Sequence, residues 1–209
     1  MGCASLSLTK NRGKEVRSLL IFLGASALTA CSVQEQMPDP SRQDVEHARL
    51  AAAELQHELQ ARLMEAMQSE GVEAAIGVCA DEAQLISARV SEATNMDVGR
   101  TSFSLRNPDN APDIWERQQM AAFRAAMSQG ETPQSMEYSE VVETENGMMF
   151  RWMKPIPMGD LCQTCHGTNV APEVLDLIHE LYPEDHATGY EPGQLRGAFT
   201  VSRPVINPG

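Results

Sequence analysis

The 209-residue chain is long enough for one ordinary domain, and it is acidic, with 16 basic and 29 acidic residues and a net charge of −13. Without residues 1–30, which have the pattern of a targeting segment, 12 basic and 28 acidic residues remain and the net charge becomes −16. Such a charge repels nucleic acid and anionic lipid surfaces, so we expect no nucleic-acid role, whereas a basic redox partner would be attracted. The alternative is that the acidic residues simply keep an exported protein in solution.

The N-terminal residues have the pattern of an exported protein. A basic stretch precedes an apolar run over residues 19–30, which is too short to span a bilayer and ends in small residues. The run Leu28-Thr-Ala-Cys31 is similar to the lipoprotein box of bacterial lipoproteins, in which the cysteine carries the lipid. We therefore predict a signal peptide over residues 1–30, lipidation of Cys31 and a linker over residues 31–41. An ordinary signal peptide or a membrane anchor is the alternative.

The predicted lipid fixes the expected location of the protein. It would tether the chain to the periplasmic side of a bacterial membrane, and Ser32 directly after the lipidated cysteine favours the outer membrane.

Helices dominate the first half of the chain. Small and apolar residues recur there at three- and four-residue spacing, and Gly71 ends the longest run. The predicted elements, in chain order, are helix 41–70, helix 72–80 with Cys79, helix 81–93, strand 99–105 and helix 113–128.

The second half predicts a β-hairpin. Residues 136–155 have the pattern of two strands joined at Glu145-Asn146-Gly147, and Asn-Gly favours the tight turn between antiparallel strands. A helix opened by Pro172 and a final strand over residues 197–205 follow. Helices first, and then strands interleaved with helices, predict an α+β domain over residues 42–209 with a small antiparallel sheet.

The run Leu161-Cys-Gln-Thr-Cys-His-Gly167, directly after the hairpin, carries the chemistry. Two cysteines three apart can add to the vinyl groups on one edge of a porphyrin, and the histidine behind them then reaches the iron. Export supplies the compartment in which such attachment happens. The motif predicts covalently bound haem c, with Cys162 and Cys165 as the attachment points and His166 as the proximal iron ligand.

Two other chemistries use a similar motif. A structural zinc site needs four ligands, and Cys79, His179 and His186 are further candidates but form no second paired cluster. A thiol oxidoreductase places its cysteine pair at a helix start behind a buried parallel strand, whereas a hairpin precedes Cys162. The sequence favours haem over both.

The residues alone leave the sixth iron ligand open. Cys79 is the one cysteine of the mature chain without another assigned use, and a thiolate ligand would lower the reduction potential. A small buried side chain in the core is the alternative for Cys79. The other candidates, better suited to core packing or to a solvated helix face, are Met149, Met153, Met158, His47 and His57.

Four more side chains are candidates for contact with a haem. Arg100 and Arg106 suit the propionates, because a guanidinium matches a carboxylate, and pairing with acidic residues of the protein is their alternative. Phe150 and Trp152 lie on one side of the hairpin, where core packing is favoured over packing on a porphyrin.

Three separated runs resemble one bacterial family of c-type haem domains. They are Val98-Gly-Arg-Thr-Ser-Phe-Ser-Leu-Arg-Asn-Pro-Asp-Asn-Ala-Pro112 with Trp115-Glu116, the Cys-x-x-Cys-His run, and Tyr182-Pro-Glu-Asp-His-Ala-Thr-Gly-Tyr190 with Arg196-Gly-Ala198. The resemblance implies a PAS-like fold with a small antiparallel sheet, flanking helices and a long N-terminal helix. It also implies that Cys79 and His166 ligate the iron. That family was long labelled only as a domain of unknown function, and its members include sensor modules.

These observations predict a lipid-anchored periplasmic haem c protein that senses redox state or a diatomic gas and acts through a signalling partner. A single-electron carrier for a periplasmic redox partner is the alternative. No acid–base pair for work on a substrate is visible in the sequence, so we expect no enzymatic activity.

Overall fold

The computed structural model describes residues 37–205, and these form six α-helices and one four-stranded antiparallel sheet. The helices are α1 (Arg42–Ser69), α2 (Val72–Gly77), α3 (Ala83–Thr94), α4 (Ile114–Ser128), α5 (Gln163–His166) and α6 (Pro172–Leu181). The strands are β1 (Asp97–Thr101), β2 (Tyr138–Thr144), β3 (Gly147–Pro157) and β4 (Leu195–Pro204). The predicted α+β class with a small antiparallel sheet and a long N-terminal helix is confirmed.

The predicted signal peptide and Cys31 lie outside the described residues, as does most of the predicted linker. Lipidation and the division of the chain at residues 30 and 41 therefore stay predictions. Within residues 37–205, no helix combines the length and the apolar character needed to cross a membrane.

Helix α1 agrees with its predicted bounds to within one residue at each end. Its start is fixed by Ser41, whose hydroxyl accepts a hydrogen bond of 3.0 Å from the backbone N–H of Asp44. A cap of this kind stabilises a helix by about 1 kcal/mol. The chain leaves the helix at Gly71, whose φ of +93° suits glycine better than other residues.

The predicted break between residues 80 and 81 is wrong. Helix α2 continues without interruption through a π-helical turn, Val78–Glu82, into α3. In this turn the N–H of Ala83 donates to the carbonyl of Val78, one residue further back than in an α-helix. The physical reason is that residues 78–83 contain no glycine or proline to end a helix. We call Val78–Glu82, which carries Cys79, the π turn.

The sheet has the strand order β1-β4-β3-β2, and every neighbouring pair is antiparallel. The predicted hairpin is confirmed, with Glu145 and Asn146 in the turn and Gly147, at φ +105°, opening β3. The predicted strand 99–105 is right only in its first half. The chain leaves the sheet after Thr101 because the Ser102 hydroxyl, rather than a further backbone group, bonds the Arg196 carbonyl at 2.7 Å.

Two apolar clusters cover the two faces of the sheet. On one face, α1 and α3 pack on β3 and β4 around the fully buried Leu55, Phe150 and Trp152. On the other face, α4 packs through Met120 against Met153 and its neighbours. Adjacent residues of a strand point to opposite faces, which separates Trp152 from Met153. The favoured core role of Phe150 and Trp152 is confirmed, and neither lines the cavity described below.

Candidate functional site

A cavity of about 240 Å³ lies between the second half of α1, the π turn, the chain that follows β1, the start of β4 and the Cys-x-x-Cys-His segment. All six residues that the sequence assigned to cofactor binding line it, and they are Cys79, Arg100, Arg106, Cys162, Cys165 and His166. They come from four separate parts of the chain. The fold therefore brings the predicted site residues together around one space.

The donor atoms around this cavity are spread along its walls. Two cysteines and a histidine come from the Cys-x-x-Cys-His segment, and Cys79 comes from the π turn. Nevertheless, within residues 37–205 no three His, Cys, Asp or Glu side chains lie close enough together to hold a metal ion directly. His179 and His186, the extra candidates for zinc, are exposed and do not line the cavity. The two cysteines and the histidine of one helical turn, together with Cys79 of the π turn, are therefore the donors that line the cavity.

Helix α5 is a single turn that points its reactive side chains the same way. Its closing hydrogen bonds run from the His166 N–H to the Cys162 carbonyl and from the Gly167 N–H to the Gln163 carbonyl, each 3.0 Å. Residues three and four apart share one helix face, so Cys162, Cys165 and His166 are neighbours there. A Cβ at position 167 would lie only 2.6 Å from the Gln163 oxygen, which explains the glycine after the histidine.

The ring of His166 is held in one tautomer. Its Nδ1 lies 2.6 Å from the Ala187 carbonyl oxygen, which can only accept, so Nδ1 carries the proton and donates it. Arg196 Nε lies 3.3 Å from the same Nδ1, but a nitrogen that already donates has no lone pair to offer it. Burial, together with the positive charges of Arg196 and Arg106, lowers the pKa of His166 to about 2. The ring is therefore neutral at pH 7, with the lone pair of Nε2 free for a metal.

Residues 185–190, here called the clamp segment, fix the main chain around His166. The Tyr190 N–H donates to the His166 carbonyl, and the Gly189 N–H donates to the Gly167 carbonyl, both at 3.0 Å. At its other end the segment is tied to the chain after β1, where the His186 N–H donates to the Leu105 carbonyl at 2.8 Å. Ala187, which holds the His166 ring, is fully buried.

Arg106 already has a partner inside the protein. Its Nε lies 2.8 Å from Oδ1 of Asp185, and its Nη2 donates to the Cys165 carbonyl at 2.7 Å. The Arg106 side chain is 8% exposed and that of Asp185 is 0% exposed. Pairing with an acidic residue, one of the two roles predicted for this arginine, is therefore the one that the structure contains.

Arg100 and Arg196 differ from Arg106 in having no acidic partner among the described residues. Neither forms an ion pair with any carboxylate of residues 37–205, and Arg100 Nε is buried without a hydrogen-bond partner. Arg196 donates from Nη1 to the Ser102 hydroxyl at 2.8 Å. Burial lowers the pKa of both guanidinium groups. Among the described residues, these two half-buried arginines thus line the cavity without a carboxylate partner.

Cys79 reaches the cavity from the π turn, far in sequence from the Cys-x-x-Cys-His segment. Burial raises the pKa of its thiol, and the nearby charges of Arg100 and Arg106 act in the other direction. Cys79, Cys162 and Cys165 are all free thiols.

Arg196 and Met67 are among the lining residues that sequence reasoning did not assign to the site. Arg196 was part of a run quoted for its resemblance, but nothing marked it as a site residue before its neighbours in space were known. Met67 of α1 also lines the cavity, whereas Met149, Met153 and Met158 do not. His47 and His57 are exposed on α1 and likewise do not line it.

Comparison with known proteins shows the family to which the chain belongs. Residues 29–204 match the family model described as Tll0287-like. The chain belongs to the Tll0287-like family. One solved structure of similar fold is that of the cyanobacterial heme-protein Tll0287, with 19% sequence identity and a TM-score of 0.61. The likeness covers 81% of this chain and 100% of that chain. A search of curated proteins gave no match.

Membership of the Tll0287-like family agrees with the resemblance drawn from three separated runs of the sequence. The matched residues include every donor and arginine of the cavity, from Cys79 to Arg196.

Proposed function

We propose that this member of the Tll0287-like family is a c-type haem protein. Cys162 and Cys165 would attach the porphyrin, and His166 and Cys79 would ligate its iron. The observation that carries the proposal is that these four donors, from two distant parts of the chain, line one cavity. The heme-protein Tll0287, which shares the fold, adds support.

The charges of the cavity fit the same group. A haem carries two propionates, and the half-buried Arg100 and Arg196 line the cavity with no carboxylate partner among the described residues. The buried Nε of Arg100 has no hydrogen-bond partner, which is costly, and a carboxylate would relieve that cost. Arg106 is less suited to a propionate than we predicted, because Asp185 already neutralises its charge.

The protonation state of the His166 ring also fits a haem ligand. Iron ligation needs a neutral imidazole with a free nitrogen, and the Ala187 carbonyl and the surrounding cations keep the ring in that state. When bound, a haem would supply one-electron redox chemistry and, after loss of a ligand, a position for a diatomic gas. Burial raises the pKa of the Cys79 thiol, and the charges of Arg100 and Arg106 partly offset this in favour of the thiolate, the form that binds iron.

For the biological role, we propose sensing of redox state or of a diatomic gas by a lipid-anchored protein on the periplasmic side of the membrane, with a signalling protein as partner. The feature that favours this role is the continuity of the helix that carries Cys79. That helix packs on α1 through Ala75 and Val78 and on α6 through Ile76. A change of ligation at Cys79 would therefore act on two neighbouring helices. The proposal includes no enzymatic step.

A single-electron carrier is the second candidate, and one observation favours it. Leu161, which lines the cavity, is 36% exposed, and the neighbouring Cys162 is half-buried. An attached haem would thus reach the surface at one edge, where a redox partner can dock. Binding of carbon monoxide by the ferrous protein would favour sensing, and a ferrous protein that stays closed to the gas would favour electron transfer.

Covalent attachment is tested on a denaturing gel. The boiled, thiol-treated protein should keep haem peroxidase staining, and the double variant Cys162→Ala/Cys165→Ala should lose it completely. Cys79→Ser serves as the matched control, because it removes a thiol from the same cavity without touching the attachment points. A wild-type protein without stain would disprove the proposal.

The ligand role of Cys79 is tested by optical spectroscopy. Cys79→Ser should keep the haem but change the low-spin absorption spectrum of the ferric protein, because a hydroxyl is a much weaker iron ligand than a thiolate. Since a thiolate lowers the potential, the variant should also be reduced at a higher potential. An unchanged spectrum would exclude Cys79 as a ligand.

A further inference from the structure

Asp185 is a fully buried carboxylate that has no part in the haem chemistry proposed above. It does not line the cavity, and its side chain is 0% exposed. Its partner is Arg106, at 2.8 Å between Nε and Oδ1 and 3.5 Å between Nη2 and Oδ2. Taking two such charges out of water is costly, and a buried ion pair adds little net stability compared with apolar side chains. A buried pair of this kind is better explained by the arrangement of the chain that it fixes than by the stability that it adds.

The contacts of the pair lead in two directions, and both end at His166. Through its Nη2, Arg106 holds the carbonyl of Cys165, the residue directly before His166. Through its carboxylate, Asp185 anchors the clamp segment, which supplies the Ala187 carbonyl to the His166 ring and the Tyr190 N–H to the His166 carbonyl. One ion pair therefore joins the two pieces of backbone between which the histidine lies.

We propose that the buried Arg106–Asp185 pair is a positioning unit for His166. It locks the clamp segment against the Cys-x-x-Cys-His helix, and thereby holds the imidazole in one orientation and one tautomer. This inference rests on the proposed haem function, because the orientation of the ring matters when its Nε2 ligates iron.

The shape of the guanidinium makes the inference specific. Arg106 uses Nε and Nη2 together, on one edge of its planar fork, to contact the carboxylate and the Cys165 carbonyl. A lysine carries the same charge on a single nitrogen and cannot reproduce this edge. Arg106→Lys therefore separates a role in positioning from a role in charge balance alone.

The test uses the full-length haem-loaded protein and the variants Arg106→Lys and Asp185→Asn. Asp176→Asn is the matched control, because Asp176 is exposed on α6 and takes no part in these contacts. The readout is the low-spin electron paramagnetic resonance spectrum of the ferric protein, which responds to the orientation of the axial imidazole. We expect both variants to shift or broaden the g values, and the double variant to change them no more than the larger single change. The control should match the wild type.

An Arg106→Lys protein with the wild-type spectrum would overturn the inference, as would variants that lower only the midpoint of unfolding. Absence of haem stain in the wild type would instead contradict the proposed function. The pair is then tested in the haem-free chain by amide hydrogen exchange of Gly189 and Tyr190. These two amides should exchange at least about tenfold faster in both variants than in Asp176→Asn, and equal rates would overturn the inference. The same measurement applies to a variant that folds but does not acquire haem.

Discussion

The molecule builds two unlike regions from the same helix and the same sheet. In the core, α1 packs on β3 and β4 through side chains that are fully buried and apolar, such as Leu55, Phe150 and Trp152. At the cavity, the later turns of α1 present Gln60 and Met67, and β4 presents Arg196. The helix and strands continue from one region to the other, so the difference lies in the side chains.

That difference has an energetic meaning. Full burial of a large apolar side chain stabilises a protein by about 1.5–3 kcal/mol. A buried polar group left without a partner, such as Arg100 Nε, costs about 1–3 kcal/mol. The cavity thus lowers the stability of the haem-free chain, as expected for a region shaped to receive a group rather than to fill itself. In the haem-free protein, removing a side chain of the core should therefore lower the free energy of unfolding, and removing an unpartnered polar side chain of the cavity should raise it.

The largest effect is expected in the core. Phe150→Ala removes a ring that is 0% exposed and should lower the free energy of unfolding by about 3–5 kcal/mol. Urea denaturation of the haem-free Cys162→Ala/Cys165→Ala protein measures it. Leu50→Ala is the control on α1, because Leu50 is 61% exposed, and it should change stability by less than about 0.5 kcal/mol. A loss below about 1 kcal/mol at Phe150 would show that this region is not tightly packed.

At the cavity, a substitution is expected to raise the free energy of unfolding rather than lower it. Arg100→Met removes a half-buried guanidinium whose buried Nε has no hydrogen-bond partner, and it should raise the unfolding free energy of the haem-free protein by about 1–3 kcal/mol. In the haem-loaded protein the gain should vanish if, as proposed above, the arginine binds a propionate. Arg117→Met, on the exposed side of α4, is the control. A haem-free protein destabilised by Arg100→Met would contradict the proposed difference between the two regions.

The smallest effect concerns Glu137, at the border of the core. Its carboxylate accepts hydrogen bonds from Arg49 and, at 3.2 Å, from the indole N–H of the buried Trp152, and the bond with Arg49 is the main cause that lowers its pKa below 4.5. Because the folded state binds this proton more weakly than the unfolded state, the carboxylate stabilises the fold above pH 4.5, and this stabilisation is lost as the pH falls through the lowered pKa. Glu137→Gln should cost about 1 kcal/mol at pH 7.

The difference in unfolding free energy between Glu137→Gln and the wild type should become smaller in acid. Unfolding curves at pH 7 and about pH 3 measure it. Glu143→Gln, which changes an exposed residue of β2, controls for the general effect of charge. A cost that stays the same at both pH values would mean that the ionised carboxylate is not what stabilises the protein.

The parts of the fold that depend on neighbouring residues were predictable from the sequence. Ser41 marks the start of α1, Asn146-Gly147 marks the hairpin, and the Cys-x-x-Cys-His run carries its own geometry. Interactions between distant segments were not. Arg106 and Asp185 are 79 residues apart, and no local pattern indicates that they form a pair. Arg196 gains its importance only because β4 brings it to His166, 30 residues away in the chain.

The π turn could not be predicted either, because its sequence suits an ordinary α-helix equally well. A π turn contains one residue more than an α-helix needs to reach the same hydrogen bond, and each α-helical residue turns the chain by about 100°. The direction in which the Cys79 thiol points therefore depends on the number of residues between Val78 and Ala83. In evolutionary terms, insertion or deletion of a single codon here would be enough to gain or lose a sulfur donor, with no change to the cysteine itself.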